Sequence, residues 1–222
     1  ASSAASDVYK RQVHEIEQRL FSWAPRESAM DWDNVGHLVG DPEQEVERIL
    51  VALDITERVV QEAIDCGAQL IVSHHPVMNV RWHEREMQTL RSDTRLGGVL
   101  TTLVKNDISA ICMHTNLDAA DGGVNDCLAK KLGLNDILLL NDEKIGRIGT
   151  LSCEIPLEQF LHDVVKSLSC RGLRYRDGGR PVHRVAVGGG ACGEYIPQAL
   201  AQGCDTFVTS DLRYNDFLDT QG

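Results

Sequence analysis

Two adjacent histidines, His74 and His75, lie between an apolar run and a proline in the stretch "LIVSHHPVM" (70–78). Consecutive side chains of a regular strand point to opposite faces of its sheet, so both rings can reach one target only where the strand ends. Pro76 favours such an ending, because proline has no backbone N–H and restricts the residue before it to extended conformations. The pair therefore predicts two imidazoles that turn toward one cavity.

Further polar side chains follow other apolar runs. His114 and Asp118 come at the end of "ISAICMHTNLD" (108–118), and Asp54 and Asp211 each end a run of their own. In parallel α/β sheets, ligands bind beyond the carboxyl ends of the strands. These side chains are therefore candidates for one site together with the histidine pair.

Two imidazoles and a carboxylate suit a divalent ion such as zinc, manganese, iron or cobalt, whereas magnesium and calcium prefer cages made mostly of oxygens. If the rings of His74 and His75 diverge, each can anchor one metal of a pair about 3.5 to 4 Å apart, with a bridging carboxylate. The alternative is that these are hydrogen-bonded polar residues without a metal. The other histidines have no second candidate ligand beside them at a predicted strand end. They are interpreted as surface or packing residues: His14, His37, His83, His162 and His183.

A glycine-rich turn, "VAVGGGACGEY" (185–195), suggests phosphate binding, because such a turn between a strand and a helix exposes backbone N–H groups. Its glycines lack the G-x-G-x-x-G spacing, and no Walker lysine follows. Close packing of the turn against a neighbouring strand explains the glycines equally well. A nucleotide-binding module therefore stays a third interpretation.

The elements that must position the histidine pair form a strand, a helix and a strand. "RILVALDI" (48–55) is apolar and bounded by charge, which is typical of a strand buried on both faces. A helix with its C-terminal cap at Gly67 follows, and then the strand "QLIVSHH" (69–75). In one sheet this order implies a parallel pair joined by a right-handed crossover.

A second strand, helix and strand are predicted at 183–190, 194–202 and 206–211. The two units match at the offset that separates Gly67 from Gly203, 136 residues, which an internal duplication or a chance likeness of two ordinary units would explain. The same offset places His75 opposite Asp211. The remaining predicted elements are a helix from Val13 to Pro25, a helix over 84–104 that Gly97 and Gly98 interrupt, a helix over 124–133, strands near 137–140 and 147–155, and a helix over 157–168.

The composition bounds the class of protein. The chain has 222 residues, 42% hydrophobic, and a net charge of −11, which argues against nucleic acid or an anionic membrane as the main partner. No apolar run reaches the roughly 18 residues that span a bilayer, and no secretory signal is evident, so we expect a cytoplasmic protein. The seven cysteines are odd in number and scattered, and they are interpreted as reduced core residues.

Five stretches, in this order, resemble the Nif-three-like dinuclear-metal family, the GTP cyclohydrolase I type 2 homologues: "WDNVGHLVGDP", "LVALDIT", "LIVSHHP", "HTNLDAADGGVNDCLAKKLGL" and "VAVGGG…ALAQGCDTFVTSDLRYNDFLD". The similarity runs from about Val13 to Asp219. It implies an α/β fold of two related strand-helix-strand lobes with mixed, largely parallel sheets facing a shared cleft. It also implies a two-metal site between the lobes and a ring-shaped homo-hexamer.

The resemblance makes His74, His75 and Asp118 metal ligands, with His114 beside the site. The family's remaining ligands, a histidine and a glutamate four residues later, lie on a C-terminal strand and turn beyond Gly222. We therefore expect a truncated sequence that binds metal weakly unless Asp211, Asp54 or a neighbouring subunit substitutes. A natural variant that has lost its chemistry is the alternative.

The leading interpretation is a metal-dependent hydrolase of unknown small-molecule substrate, in which two divalent ions activate water and His114 or Asp211 moves protons. A non-enzymatic metal-binding or regulatory scaffold is the alternative. Three segments are expected: a disordered lead (1–12), a first α/β lobe (13–140) and a second, incomplete lobe (141–222).

Overall fold

The computed structural model describes residues 10–78 and 89–220. Its backbone divides into two compact units between Leu117 and Asp118. The predicted lobe boundaries stay a prediction, and most of the predicted disordered lead lies outside the described residues. All seven cysteines are free, as the sequence predicts, but Cys127 and Cys153 are exposed, so the prediction that all seven lie in the core was wrong. None of the helices in the described ranges has the length and apolar character to cross a bilayer.

The first unit contains a four-stranded mixed sheet with helices packed against it. The strand order is β2-β6-β5-β4, in which β4, β5 and β6 are parallel and β2 is antiparallel to β6. A small two-stranded sheet, β1 with β3, lies beside it in the same unit. The elements are β1 (Arg11–Gln12), α1 (Val13–Trp23), β2 (Gly36–Val39), β3 (Glu45–Val46), β4 (Ile49–Ala52), α2 (Glu57–Cys66), β5 (Leu70–Ser73), α3 (Arg95–Lys105) and β6 (Ser109–Cys112).

Helix α2 ends where the sequence predicts. The Thr56 hydroxyl accepts a hydrogen bond from the N–H of Val59, and Gly67 closes the helix with a left-handed φ of 67°. The parallel pairing of β4 with β5 confirms the predicted crossover unit. The core between α2, α3 and the sheet is apolar and includes Val60, Ile71, Leu100, Leu103 and Ala110.

Two predictions for this unit were wrong. Helix α3 begins at Arg95 rather than near 84, and its glycines do not interrupt it: a Cβ at Gly97 would lie 2.1 Å from the backbone oxygen of Arg91, so glycine permits that close approach. Residues 84–88 of the predicted helix lie outside the described residues. Strand β4 is not buried on both faces, because it forms the edge of the sheet and Val51 is 76% exposed.

The second unit is built on another four-stranded mixed sheet, ordered β10-β9-β8-β7. Strands β9 and β10 are parallel, whereas β7, β8 and β9 are antiparallel neighbours. Parallel pairs therefore dominate the first sheet and antiparallel pairs the second. The elements are α5 (Val124–Lys131), β7 (Asn135–Leu139), β8 (Arg147–Ile155), α6 (Leu157–Leu168), β9 (Val182–Gly188), α7 (Ile196–Ala201), β10 (Thr206–Thr209) and α8 (Tyr214–Asp219), preceded by α4 (Thr115–Ala119), which runs across the division.

The core of the second unit lies between the sheet and helices α5 and α6, with Phe160, Val164, Val185 and Val187 among its buried members. The predicted strand, helix and strand at its C-terminal end are all present. Gly203 ends α7 with a φ of 74°, which matches the left-handed cap at Gly67 in the first unit. The mixed α/β class predicted from the sequence is confirmed.

Candidate metal centre

Three histidines converge beyond the carboxyl ends of β5 and β6 in the first sheet. Strands β5 and β6 are parallel neighbours with Ser73 opposite Cys112, so His74, His75 and His114 leave the sheet at the same edge. The ring centroids of His74 and His75 are 5.0 Å apart, and the ring of His114 lies 5.0 Å from the first and 5.4 Å from the second. One ligand nitrogen of each ring lies within 4.8 Å of the other two.

The end of β5 explains how adjacent residues reach one point. The N–H of His74 donates to the oxygen of Ala52, and the next N–H, that of His75, donates to the oxygen of Leu53. Two successive amides that bond to the same neighbouring strand break the alternation of a regular ladder. The backbone therefore turns at the pair, and both rings face the same region, as the sequence predicts.

Each ring is oriented by an oxygen acceptor at its Nδ1 atom. Nδ1 of His74 lies 3.0 Å from the backbone oxygen of Met113, and that of His75 lies 2.8 Å from Oδ1 of Asp54. Nδ1 of His114 lies 2.9 Å from both carboxylate oxygens of Asp33. A carbonyl or carboxylate oxygen can only accept, so each Nδ1 carries the proton, and an ion would bind through Nε2.

Asp33 is the residue that the sequence analysis missed. Its side chain has no exposed surface, and its carboxylate also accepts hydrogen bonds from the N–H of Thr115 at 3.0 Å and from the Thr115 hydroxyl at 2.5 Å. Burial raises the pKa of Asp33, but the hydrogen bonds from His114 and Thr115 outweigh it and lower the pKa to about 2. The carboxylate is therefore charged at neutral pH beside the His114 ring.

A topological signal could have located Asp33. Strand β2 is antiparallel to β6, with Gly36 opposite Cys112. The residues just before β2 therefore lie beside the residues just after β6, where His114 and Thr115 stand. The strand-end rule that selected the other candidates considers only where parallel strands stop, so it overlooks the start of an antiparallel neighbour.

The protonation state of His74 suits a metal ligand. Burial, together with the nearby ring of His114, lowers the pKa of His74 to about 4. The imidazole is neutral at pH 7, and a ligand nitrogen must carry no proton to bind an ion. The donor set of three imidazoles is chemically suited to a divalent transition metal such as zinc, iron or cobalt.

The two predicted carboxylates belong to the second unit. Asp118 lies in α4 and is 7% exposed, and its backbone oxygen accepts a hydrogen bond from Asn125 at 3.1 Å. Asp211 is exposed just after β10. Within 10–78 and 89–220, the group with metal-ligand spacing consists of the three histidines. His114 lies in that group, whereas the roles predicted for Asp118 and Asp211 stay predictions.

The glycine-rich turn (185–195) packs closely within the protein, which is the explanation of its glycines that needs no phosphate. The N–H of Gly189 donates to Oδ1 of Asn125 at 2.8 Å, and a Cβ at Gly188 would lie 2.7 Å from the Cβ of Cys192. At least one N–H of the turn is therefore used within the protein. Close packing accounts for these glycines without a phosphate.

The fold and the site define an α/β protein with a histidine-rich candidate site for a divalent transition metal. The chain belongs to the family described as Duf34/NIF3 (NGG1p interacting factor 3), which matches residues 11–222. A protein of Clostridium perfringens named GTP cyclohydrolase 1 type 2 homolog is 35% identical over 199 residues, which cover 86% of this chain and 74% of that protein. A Streptomyces coelicolor protein of the same name is 35% identical over 215 residues, with 92% and 74% covered.

Solved structures resemble this chain over almost its whole length. A Bacillus cereus protein related to NIF3 superposes with a TM-score of 0.87 at 25% identity, covering 95% of this chain and 85% of that one. A Staphylococcus aureus hypothetical protein has a TM-score of 0.85 at 30% identity, with 94% and 81% covered. The predicted family membership is therefore confirmed.

Proposed function

We propose that this chain is a divalent-metal-dependent hydrolase whose ion is held by the Nε2 atoms of His74, His75 and His114. The observation that carries the proposal is that all three Nδ1 atoms face protein oxygens, which orients three second nitrogens for an ion. Such acceptors behind ligand histidines raise the basicity of the ring and fix its orientation. Nδ1 of His14 also faces a backbone oxygen, that of Pro42, so the feature that distinguishes the three site histidines is that their rings converge.

When bound, a divalent ion lowers the pKa of a coordinated water toward neutrality and polarises the electrophile of the substrate. The chain's own residues prepare that chemistry. Asp33 and Asp54 hold two of the rings, and the burial of His74 keeps its ring neutral. The Trp32 ring stands edge-on to His114, with centroids 6.0 Å apart.

The sequence supports a larger, dinuclear site. Asp118 follows His114 by four residues, and we propose it as a carboxylate ligand that supplies the oxygen donor a second ion needs. Since His114 stands among the ligands, proton transfer falls to Asp211 in this proposal. Three imidazoles and one carboxylate are few donors for two ions, so we expect the second ion to bind more weakly than the first.

The test uses the whole chain with zinc, manganese or iron, assayed against phosphoesters, nucleotides and cyclic amides. The relatives' name, GTP cyclohydrolase 1 type 2 homolog, makes a purine nucleotide the first substrate to try. We expect turnover that needs metal and is lost in a His75→Ala variant. His162→Ala, an exposed histidine on α6, is the matched control and should keep the activity.

Two results would contradict the proposal in different ways. Stoichiometric metal that depends on His75, without turnover on any substrate class, would favour the non-enzymatic scaffold. Equal metal content in the wild type, His75→Ala and His162→Ala would mean that the three histidines do not form a metal site.

A further inference from the structure

Two side chains donate hydrogen bonds to the backbone oxygens of the histidine pair. The hydroxyl of Ser73 donates to the oxygen of His75 at 2.8 Å, and the thiol of Cys112 donates to the oxygen of His74 at 3.0 Å. A carbonyl oxygen can only accept, so the hydroxyl and the thiol each supply the proton. Both carbonyls of the pair therefore accept from side chains.

The Cys112 thiol binds the backbone at the point where it departs from a regular strand. Successive peptide groups of a strand point in alternate directions. The peptide before His74 directs its oxygen toward β6, where it accepts from the N–H of Met113, and its N–H toward β4. The peptide after His74 has the same orientation, because its oxygen accepts from Cys112 on β6 and its N–H donates to Leu53, just after β4. The thiol therefore stabilises the turn that places both rings on one side.

The two donors are neighbours in the sheet and are buried. Ser73 and Cys112 form the last pair of the ladder between β5 and β6. Paired residues of neighbouring strands direct their side chains to the same face of the sheet, so the hydroxyl and the thiol lie side by side. Ser73 is 2% exposed and Cys112 is 1% exposed. With so little solvent at the donors, removing either one leaves a carbonyl oxygen without a ready replacement.

We propose that Ser73 and Cys112 are positioning residues of the metal centre, which hold the backbone of the histidine pair so that both rings aim at one ion. Each acts through the histidine whose carbonyl it binds: the hydroxyl through His75 and the thiol through His74. The inference rests on the proposed metal centre. The acceptor behind each ring sets the rotation of that ring, whereas these two donors set the place of its Cα atom, and a ligand needs both to be fixed.

Zinc affinity, measured by competition with a chromophoric chelator, tests the hydroxyl. Ser73→Ala removes the donor and should lower the affinity by about 10- to 100-fold. Ser73→Thr keeps a hydroxyl at this position and should restore most of the affinity. Ser109→Ala is the matched control, because Ser109 is a fully buried serine at the opposite end of β6 whose hydroxyl donates to Gln44 at 2.6 Å. The control should bind zinc like the wild type, whatever its stability.

The same measurement tests the thiol. Cys112→Ala should lower the zinc affinity by about 10- to 100-fold, and Cys112→Ser, which keeps a donor, should restore most of it. Cys66→Ala is the control, because it removes a thiol that donates to the backbone oxygen of Ala63 within α2. If Cys112 bound the ion through sulfur, serine would not restore the affinity and the cobalt-loaded wild type would show a thiolate charge-transfer band. That result would overturn the role given to the thiol.

The visible absorption of the cobalt-loaded protein reports the geometry of the ligands, which a purely structural role would leave unchanged. At saturating cobalt, Ser73→Ala and Cys112→Ala should shift the d–d bands, whereas the two control variants should keep the wild-type spectrum. Metal binding that depends on His75 but is equal in Ser73→Ala, Cys112→Ala and the wild type would overturn this inference and leave the proposed function standing. An equal loss of affinity in Ser109→Ala and Ser73→Ala would also overturn it. A wild type that binds no metal would overturn both.

Discussion

Asp33 fixes the orientation of His114 from a position with no exposed side-chain surface. The carboxylate accepts from both the histidine ring and Thr115, so its removal would free the ring to rotate and leave buried donors without acceptors. At the residue scale, the site therefore depends on three acceptors as much as on three rings. The acceptors act by holding the ring nitrogens where an ion can bind them.

Asp33→Asn should lower zinc affinity by about 10- to 100-fold, the usual effect of removing a hydrogen-bond partner of a ligand histidine. The free energy of unfolding of the metal-free protein should fall by about 1 to 3 kcal/mol. Competition with a chromophoric chelator measures the affinity. Asp31→Asn, an exposed aspartate two residues away, is the control and should change neither quantity. Equal zinc affinity in Asp33→Asn and the wild type would show that Asp33 does not orient a ligand.

The metal-free protein should lose stability as the pH falls from about 6.5 to about 4. The pKa of His74 is lowered to about 4 in the folded state, whereas an exposed histidine has a pKa near 6.5. Between these values the unfolded chain binds a proton that the folded protein does not, so acid favours unfolding. Urea unfolding at a series of pH values measures this. His74→Asn should flatten the dependence and His162→Asn should not; the same slope in all three proteins would contradict the assignment.

A glycine cap ends the helix of each strand-helix-strand unit. Gly67 and Gly203 both have a left-handed φ, and a Cβ at Gly203 would meet no atom within 4 Å. The cost of a side chain there is therefore conformational rather than steric. Gly203→Ala should lower the free energy of unfolding by about 1 to 2 kcal/mol.

Gly172→Ala is the control for the cap, because Gly172 has open space around it and no left-handed φ. Chemical denaturation of the three proteins measures the difference. If alanine has the same effect at positions 172 and 203, the left-handed cap contributes nothing to stability.

The Arg147 side chain connects several segments at the start of the second unit by hydrogen bonds. The side chain is 3% exposed, and its five N–H donors match five acceptors within that unit. Two of these acceptors are carbonyls at the end of α4, where a cation is favourable. The acceptors are the carboxylate of Asp126 and the backbone oxygens of Lys144, Gly146, Ala119 and Ala120.

Arg147→Met should lower the free energy of unfolding by about 3 to 5 kcal/mol, because it leaves the carboxylate of Asp126 without its buried partner. Adding Asp126→Asn should recover part of the loss, since the unpaired charge is then removed. Arg184→Met is the control, because the Arg184 guanidinium donates through Nε to the backbone oxygen of Gln202 in an exposed position and binds no carboxylate among the hydrogen bonds of the described residues. A loss no larger than that of Arg184→Met would contradict the role given to Arg147.

At the scale of elements, periodicity and caps were sufficient to predict most helices and strands. The exceptions were decided by contacts that a sequence pattern does not record. Gly97 predicts a break in the helix, yet it lies inside α3. Glycine is needed at this position because the backbone of Arg91 passes close to it. The apolar residues of β4 predict a strand buried on both faces, yet β4 lies at the sheet edge and Ile49 and Val51 are exposed.

For the whole molecule, the strand-end rule selected His74, His75 and His114 as candidates for one site, and the family resemblance made the first two metal ligands with the third beside them. The strand-end rule could not supply Asp33, whose position depends on tertiary packing and on an antiparallel strand pair that joins Gly36 to Cys112, 76 residues later in the chain. The family resemblance supplied the fold and the two-lobed plan. The arrangement of acceptors behind the rings came from the structure alone, because hydrogen-bond geometry leaves no spacing signal in a sequence.

Metal binding should stabilise the whole chain. A ligand that binds only the folded protein raises the free energy of unfolding by about 2.7 kcal/mol when its free concentration is 100 times its dissociation constant. We expect zinc to raise the melting temperature, EDTA to reverse the rise, and His75→Ala to abolish it. An equal rise in His75→Ala would place the stabilising ion elsewhere in the protein.

The central claim is that three imidazoles converge on one ion through their Nε2 atoms. Anomalous diffraction from crystals grown with zinc tests it most directly. The account predicts one anomalous peak about 2.0 to 2.1 Å from the Nε2 atoms of all three rings, those of His74, His75 and His114. No peak among the three rings, or coordination through their Nδ1 atoms with Asp33 and Asp54 displaced, would contradict it.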